Sequence, residues 1–164
     1  MSVDLALLII RLVVGLTVAA HGAQKMFGAF GGPVLKGLTG WLGSMRLRPA
    51  GLWAFLAAIS ELGGGLLMAL GLLGPAGALG VIAAMSVATI AAHWGKFFIT
   101  QGGMEYSLLL IVVSLAIVIS GPGAYSLDAL LNLSYPEPLT SLGGLVLVIV
   151  GVALTFGTRA PATA

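Results

Sequence analysis

Arg11 and Glu61 each sit inside a long apolar run of this 164-residue chain. A charge at mid-bilayer depth costs at least about 2.5–3.5 kcal/mol on insertion scales, so each needs a partner or a task. The two runs follow one another and must lie antiparallel, which allows both charges a similar depth. An Arg11–Glu61 ion pair is therefore expected, fixing helix register as buried pairs can.

A second set of reactive residues falls where apolar runs end. His21, Gln24 and Lys25 are three and four residues apart and share one helix face. His93 closes another run, with Ser86 and Thr89 on its side, and Glu105 and Tyr106 open the next. Glu61 lies one to two turns deeper. These groups come from four helices at matching depth, which is how helical bundles build sites. Imidazole, carboxylate, ammonium and phenol can together hydrogen-bond the carbonyls of a quinone and exchange protons. The expected acid–base residues are His21, Glu61, His93 and Glu105. The expected quinone-binding residues are His21, Gln24, Lys25, His93 and Tyr106. No metal site is expected, because the four-residue helical spacing of metal-ligating pairs is missing. Haem fits less well than quinone, since neither His faces the other at mid-depth.

The elements that must position these groups are membrane spans. Hydrophobic residues make up 59% of the chain and charged residues 7%, against about 25% charged in a soluble domain. Mean hydropathy is +1.14. Apolar runs cover Leu5–Ala23, Leu52–Leu73, Ala76–Ala92, Tyr106–Ile119 and Leu139–Gly157, near the roughly 20 residues a bilayer demands of a helix. Helices are the default, because an open strand edge cannot be satisfied in lipid. The fourth run is short and is expected to begin near Gly103 or Glu105. The chain has no Cys, which excludes dithiol catalysis, disulfides and cysteine-ligated clusters. A net charge of +2 argues for no nucleic-acid partner.

Small residues mark where helices approach each other in lipid. Gly15 and Ala19 do so in the first run, Gly64, Gly65 and Ala69 in the second, and the ridge Ala76, Gly80, Ala84, Ala88 and Ala92 in the third. Residues 33–46 carry Val34, Leu35, Leu38, Trp41, Leu42 and Met45 at helical spacing. They read as an amphipathic helix at the membrane surface, with Trp41 as its anchor. Gly121-Pro122-Gly123 ends the fourth span, and Ser126-Leu127-Asp128 reads as the cap and first turn of a short helix.

With five spans, Lys25, Lys36, Arg46, Arg48, Lys96 and Arg159 all fall on one side, and Asp4, Asp128 and Glu137 on the other. The positive-inside rule then places the 24–51 loop in the cytoplasm and the N-terminus outside. The first run is expected to be a retained span, since no positive charge precedes it as in a signal peptide.

Several stretches resemble the DoxX family of small membrane proteins. They are Arg11–Gly15, His21-Gly22-Ala23-Gln24-Lys25-Met26-Phe27-Gly28, Glu61–Leu67, Leu70–Leu73, His93 with Gly95 and Phe97-Phe98, Gly102–Tyr106 and Gly121–Asp128. The resemblance covers about residues 5–131 in order. It implies an all-α, four-helix membrane bundle over residues 1–131, with 132–164 added as a further span and short tail. It also implies redox work in a bacterial inner membrane: a quinone-linked reaction or an oxidative-stress complex. The alternatives are a non-catalytic scaffold recruiting a soluble redox enzyme through the 26–50 loop, or a small transporter. Oligomerisation is compatible with either.

Overall fold

The structure is a computed structural model and describes residues 2–161; residues 162–164 of the expected tail lie outside them. Seven helices follow in order, with no strand among the described residues: α1 Ser2–Phe27, α2 Val34–Ser44, α3 Ala50–Leu70, α4 Ala76–Ala88, α5 Glu105–Ser120, α6 Leu127–Leu130 and α7 Leu139–Gly157. A π-helical turn, Thr89–His93, continues α4. Four helices are long and apolar enough to cross a membrane: α1, α3, α4 with its π turn, and α7. α5 has 16 residues, about 24 Å at 1.5 Å per residue.

The boundaries follow from local chemistry. Asp4 lies in the first turn of α1 and Lys25 in its last, each sign favourable to the helix dipole. α2 and α3 begin after Pro33 and Pro49. α5 starts at Glu105 and stops at Gly121, whose φ of 74° suits glycine. Ser126 caps α6 by accepting from the Ala129 amide at 3.1 Å. The second apolar run is cut short relative to expectation. Gly71 takes the left-handed conformation at φ 62° and ends α3. Leu72 and Leu73 therefore belong to the turn into α4.

Packing is closest between α1 and α3. A Cβ added at Gly15 would lie 2.6 Å from the Gly65 carbonyl oxygen, and one at Gly65 would lie 2.5 Å from the Ala19 amide nitrogen. Only hydrogen at both positions permits this approach, the small-residue device expected of lipid-embedded helices. On the other side of α3, a Cβ at Gly64 would meet the Gly77 carbonyl at 3.0 Å. The expected ridge of α4 is thus turned by one residue at its start: Gly77 faces α3 and Ala76 is exposed.

α1, α3, α4 and α5 close a ring, α1 against α3, α3 against α4, α4 against α5, and α5 back on α1. Val18, Met68, Val81, Met85, Leu110 and Ile117 fill its centre. α2 lies across α3, burying Leu38 and Leu42 with Leu47, Ala54 and Ala58. α7 docks outside the ring and runs along α4. Its end returns to the α2–α3 connection, where the Ala160 amide donates to the Arg46 carbonyl at 2.9 Å and Arg159 Nε to the Met45 carbonyl at 3.1 Å. Arg159 thus joins Arg46 at one end of the bundle, the basic end. Asp4, Asp128 and Glu137 belong to the other, acidic end.

Candidate functional site

Glu61 is 1% exposed, near the middle of α3. Its Oε1 is held by the Lys25 ammonium, and its Oε2 has no hydrogen-bond partner in the chain. Lys25 keeps 26% of its side chain exposed and reaches from the last turn of α1 to the buried carboxylate. The expected Arg11–Glu61 pair does not form. Arg11, also 1% exposed, lies against Gly71, where an added Cβ would overlap its guanidinium. Gly71 is ten residues beyond Glu61 on α3, about 15 Å along the axis. Arg11 Nη2 instead donates to the Tyr125 carbonyl at 2.7 Å.

Beside Glu61 is a cavity of about 210 Å³. Its polar wall is Lys25, Ser60 and Glu61; its apolar walls come from Leu38 and Trp41 of α2, Trp53 and Leu56 of α3, Ala84, Val87 and Ala88 of α4, and Gly151, Val152 and Thr155 of α7. The volume is below the roughly 300–1,000 Å³ of sites for drug-sized ligands. It suits one small ring.

The other expected site residues are distributed around this centre. His21 is exposed on α1 and meets Tyr106 of α5, with Nε2 3.5 Å from the phenol oxygen and the rings edge to face at 6.1 Å. Gln24 packs against Gly32 in the turn after α1. His93 and Glu105 are both engaged in the loop between α4 and α5. His93 Nδ1 is 2.8 Å from the Gly102 carbonyl, and Glu105 Oε2 accepts from the Ile99 amide at 2.9 Å. Neither borders the cavity. Thr89, in the π turn, donates to Ser107 Oγ at 2.7 Å and ties the end of α4 to α5. The expected cluster is therefore resolved into a buried Lys25–Glu61 pair, an adjacent His21–Tyr106 contact, and a loop braced by His93 and Glu105.

Trp41 was expected only as a surface anchor, and Ser60, Trp53, Gly151 and Thr155 carried no expectation. Ser60 stands next to Glu61 in the sequence, which could have drawn attention to it; nothing in the sequence marks the others. Asp128 at the acidic end also does more than open a short helix. It is 3% exposed and accepts from the Leu73 amide at 3.0 Å, the Gly74 amide at 2.6 Å and the Tyr135 hydroxyl at 3.2 Å. It thereby holds the turn between α3 and α4 in place.

A ring of four apolar helices with charged residues buried between them defines a small polytopic membrane protein. The DoxX family model matches residues 6–94, just over half the chain, and the protein belongs to the DoxX family. The matched part carries Arg11, His21, Gln24, Lys25, Glu61 and His93. Glu105, Tyr106, Asp128 and all of α7 lie beyond it. No curated protein and no solved structure shows significant similarity to the chain.

Proposed function

We propose that this DoxX-family protein supports a quinone-linked redox reaction in a bacterial inner membrane, with the quinone head seated against Lys25 and Glu61. The observation that carries this reading is a buried carboxylate on the wall of a largely apolar cavity, with one oxygen held by Lys25 and the other without a partner. An unpartnered buried oxygen costs about 1–3 kcal/mol or more, so a ligand that donates to Oε2 would recover that cost. A quinone, when bound, supplies a couple that takes up two electrons and two protons. Lys25 donates a hydrogen bond at one oxygen of the head, and Glu61 Oε2 holds or passes a proton at the other. Tyr106 and His21 lie on the α5 side of Glu61 and supply exchangeable protons toward the surface. Trp41, Leu56 and Val87 exclude water. The electron donor docks at the basic end.

The test is equilibrium binding of a short-chain benzoquinone to the purified protein. Saturable binding is expected, and binding of the reduced hydroquinone, whose hydroxyl can donate to the carboxylate, should weaken about tenfold or more on Glu61→Ala, since hydrogen bonds to charged groups contribute about 1.5–3 kcal/mol. Wild-type protein that binds no member of a quinone series would end this reading. It would favour the scaffold, whose support is Phe27 and Phe30, 71% and 80% exposed where the 26–50 segment leaves α1.

The proposed orientation keeps the basic end in the cytoplasm, because the five Lys and Arg outside the spans, Lys36, Arg46, Arg48, Lys96 and Arg159, fall on that side, with Lys25 in the last turn of α1 beside them. In this Cys-free chain, an impermeant thiol reagent on whole cells should label Ala124→Cys and spare Gly37→Cys. The reverse pattern would invert the topology.

A further inference from the structure

We propose that α7 turns the Lys25–Glu61 cavity into a site fed sideways from the bilayer. Its ligand is a lipid-soluble molecule with a hydrogen-bonding head and an apolar chain, and the chain lies between α3 and α7 past Gly151. The chemistry of the head rests on the quinone reading; the path of the chain rests on how α7 is attached.

α7 runs along α4 and approaches α3 closely only at its last turn. α3 and α7 thus form the two banks of a groove whose floor is α4: Leu56, Ala57 and Ser60 on one bank, Gly151, Val152 and Thr155 on the other, and Ala83, Ala84 and Val87 beneath. The groove is latched at the basic end. Trp53 Nε1 donates to Thr158 Oγ1 at 2.9 Å, Phe156 packs on the Leu47–Ala54 cluster, and residues 159–160 bond to 45–46. With the basic end latched and α2 covering it through Leu38, Trp41 and Leu42, the proposed opening is the gap between α3 and α7 on the lipid side.

Gly151 has no packing task that explains it. At Gly144, about two turns earlier on the same face, an added side chain would run into Leu79, whereas at Gly151 an added Cβ meets nothing within 4 Å. Mid-helix glycine costs about 1 kcal/mol relative to alanine. Here it leaves the bank of the groove low beside the charged pair. A larger residue would enter the groove without displacing backbone. Glu61 lines the same cavity and its Oε2 is without a partner, which gives the head a place to stop.

The probes are a decyl-substituted benzoquinone and the same ring without its tail, measured on wild type, Gly151→Leu and Gly143→Leu. Gly143 is also on α7 with open space at its Cβ, but it does not line the cavity. Gly151→Leu should weaken the decyl compound about tenfold or more, because several buried methylenes lose their place. It should leave the tail-less ring within about twofold, a difference small beside tenfold steps in affinity. Gly143→Leu should change neither. Equal losses for both compounds, or none for either, would overturn the chain path while leaving the quinone reading intact. If wild type binds neither compound, the quinone reading fails, and a second measurement decides the groove. A nitroxide on Ser60→Cys should collide with dissolved oxygen more than with a water-soluble nickel chelate, and Gly151→Leu should lower the oxygen collisions. Greater collision with the chelate would mean that the cavity opens to water, and the proposal would be wrong.

Discussion

Two side chains of opposite charge, each 1% exposed, are held in opposite ways. At the acidic end Arg11 is wedged. Its guanidinium lies against the backbone of Gly71 and beside Ser126, with a carbonyl of the α5–α6 connection as its hydrogen-bond acceptor. At the basic end Glu61 is held by the tip of one long, partly exposed lysine, its second oxygen has no partner, and the residue lines a cavity. The first arrangement joins α1 to two connections of the fold, α3–α4 and α5–α6. The second leaves room for a ligand and can exchange its partner. Both side chains keep buried atoms without a partner, Arg11 at Nε and Nη1 and Glu61 at Oε2, so the difference teaches that a buried charge in a membrane helix is not by itself a site; what distinguishes one is the cavity beside it.

The comparison can be broken most forcibly at Gly71. Gly71→Ala adds a Cβ where the Arg11 guanidinium lies, at a positive φ that alone costs an L-residue about 1–2 kcal/mol. A loss of more than about 2 kcal/mol is expected, with steric overlap added to the backbone strain. In detergent melting, Arg11→Ala together with Gly71→Ala should lose less than the two single changes combined, since the overlap is then gone. Additive losses would show that Arg11 does not occupy that space.

A pair of double-mutant cycles sharpens the contrast. Lys25→Ala leaves Glu61 buried without its cation, and breaking a buried pair costs about 3–5 kcal/mol, with the lower figure expected because Lys25 is partly exposed. Lys25→Ala with Glu61→Ala should therefore be strongly non-additive. Arg11→Ala with Glu61→Ala should add to within about 0.5 kcal/mol, the behaviour of distant sites with no shared partner. Coupling in the second cycle and none in the first would reverse the assignment of partners.

The smallest effect concerns the surroundings of Asp128. Partial removal from water, the hydrogen bond to Asp128 and that carboxylate's charge together hold the Tyr135 phenol above its usual pKa of 10.0. A group whose pKa is raised on folding contributes stability that is complete below its unfolded pKa and is lost as pH rises through the folded one. Melting temperature should thus decline above about pH 10, where an unperturbed Tyr titrates, and Tyr135→Phe should flatten that part of the profile. A wild-type curve that is flat there would mean that Tyr135 and Asp128 do not interact.

The helices were legible because their causes are local. Apolar runs, and the prolines and glycines that punctuate them, gave α3, α4, α5 and α7 to within a few residues, and the amphipathic spacing of 33–46 gave α2. The Gly15/Ala19 and Gly65/Ala69 patches were legible as contact surfaces for the same reason. Partner choice was not read correctly, although those patches contain it. Gly15 lies against Gly65 and Ala69, and Gly22 against Leu62. Each step along α1 toward its C-terminus is matched by a step along α3 toward its N-terminus. That register sets Arg11 opposite Gly71 and brings Glu61 within a turn of Lys25. Judging depth from the ends of each run was too coarse by several turns. The cavity was illegible for another reason. It is a gap between α2, α3, α4 and α7, and no periodicity within one helix encodes a space left between four.

The spacing of partners along the chain has a consequence for biosynthesis. Lys25 and Glu61 are separated by 36 residues, while Arg11 and the Tyr125 carbonyl are separated by 114. At about 5–20 residues per second, the lysine waits roughly 2–7 s for its carboxylate, and the arginine roughly 6–23 s for its acceptor. The first helical hairpin can therefore leave the insertion machinery with its glutamate neutralised, while its arginine remains uncommitted near the bilayer surface. The nascent chain keeps one charge open until α5 and the connection that follows it have been made, so closure of the acidic end records that the four-helix ring is complete.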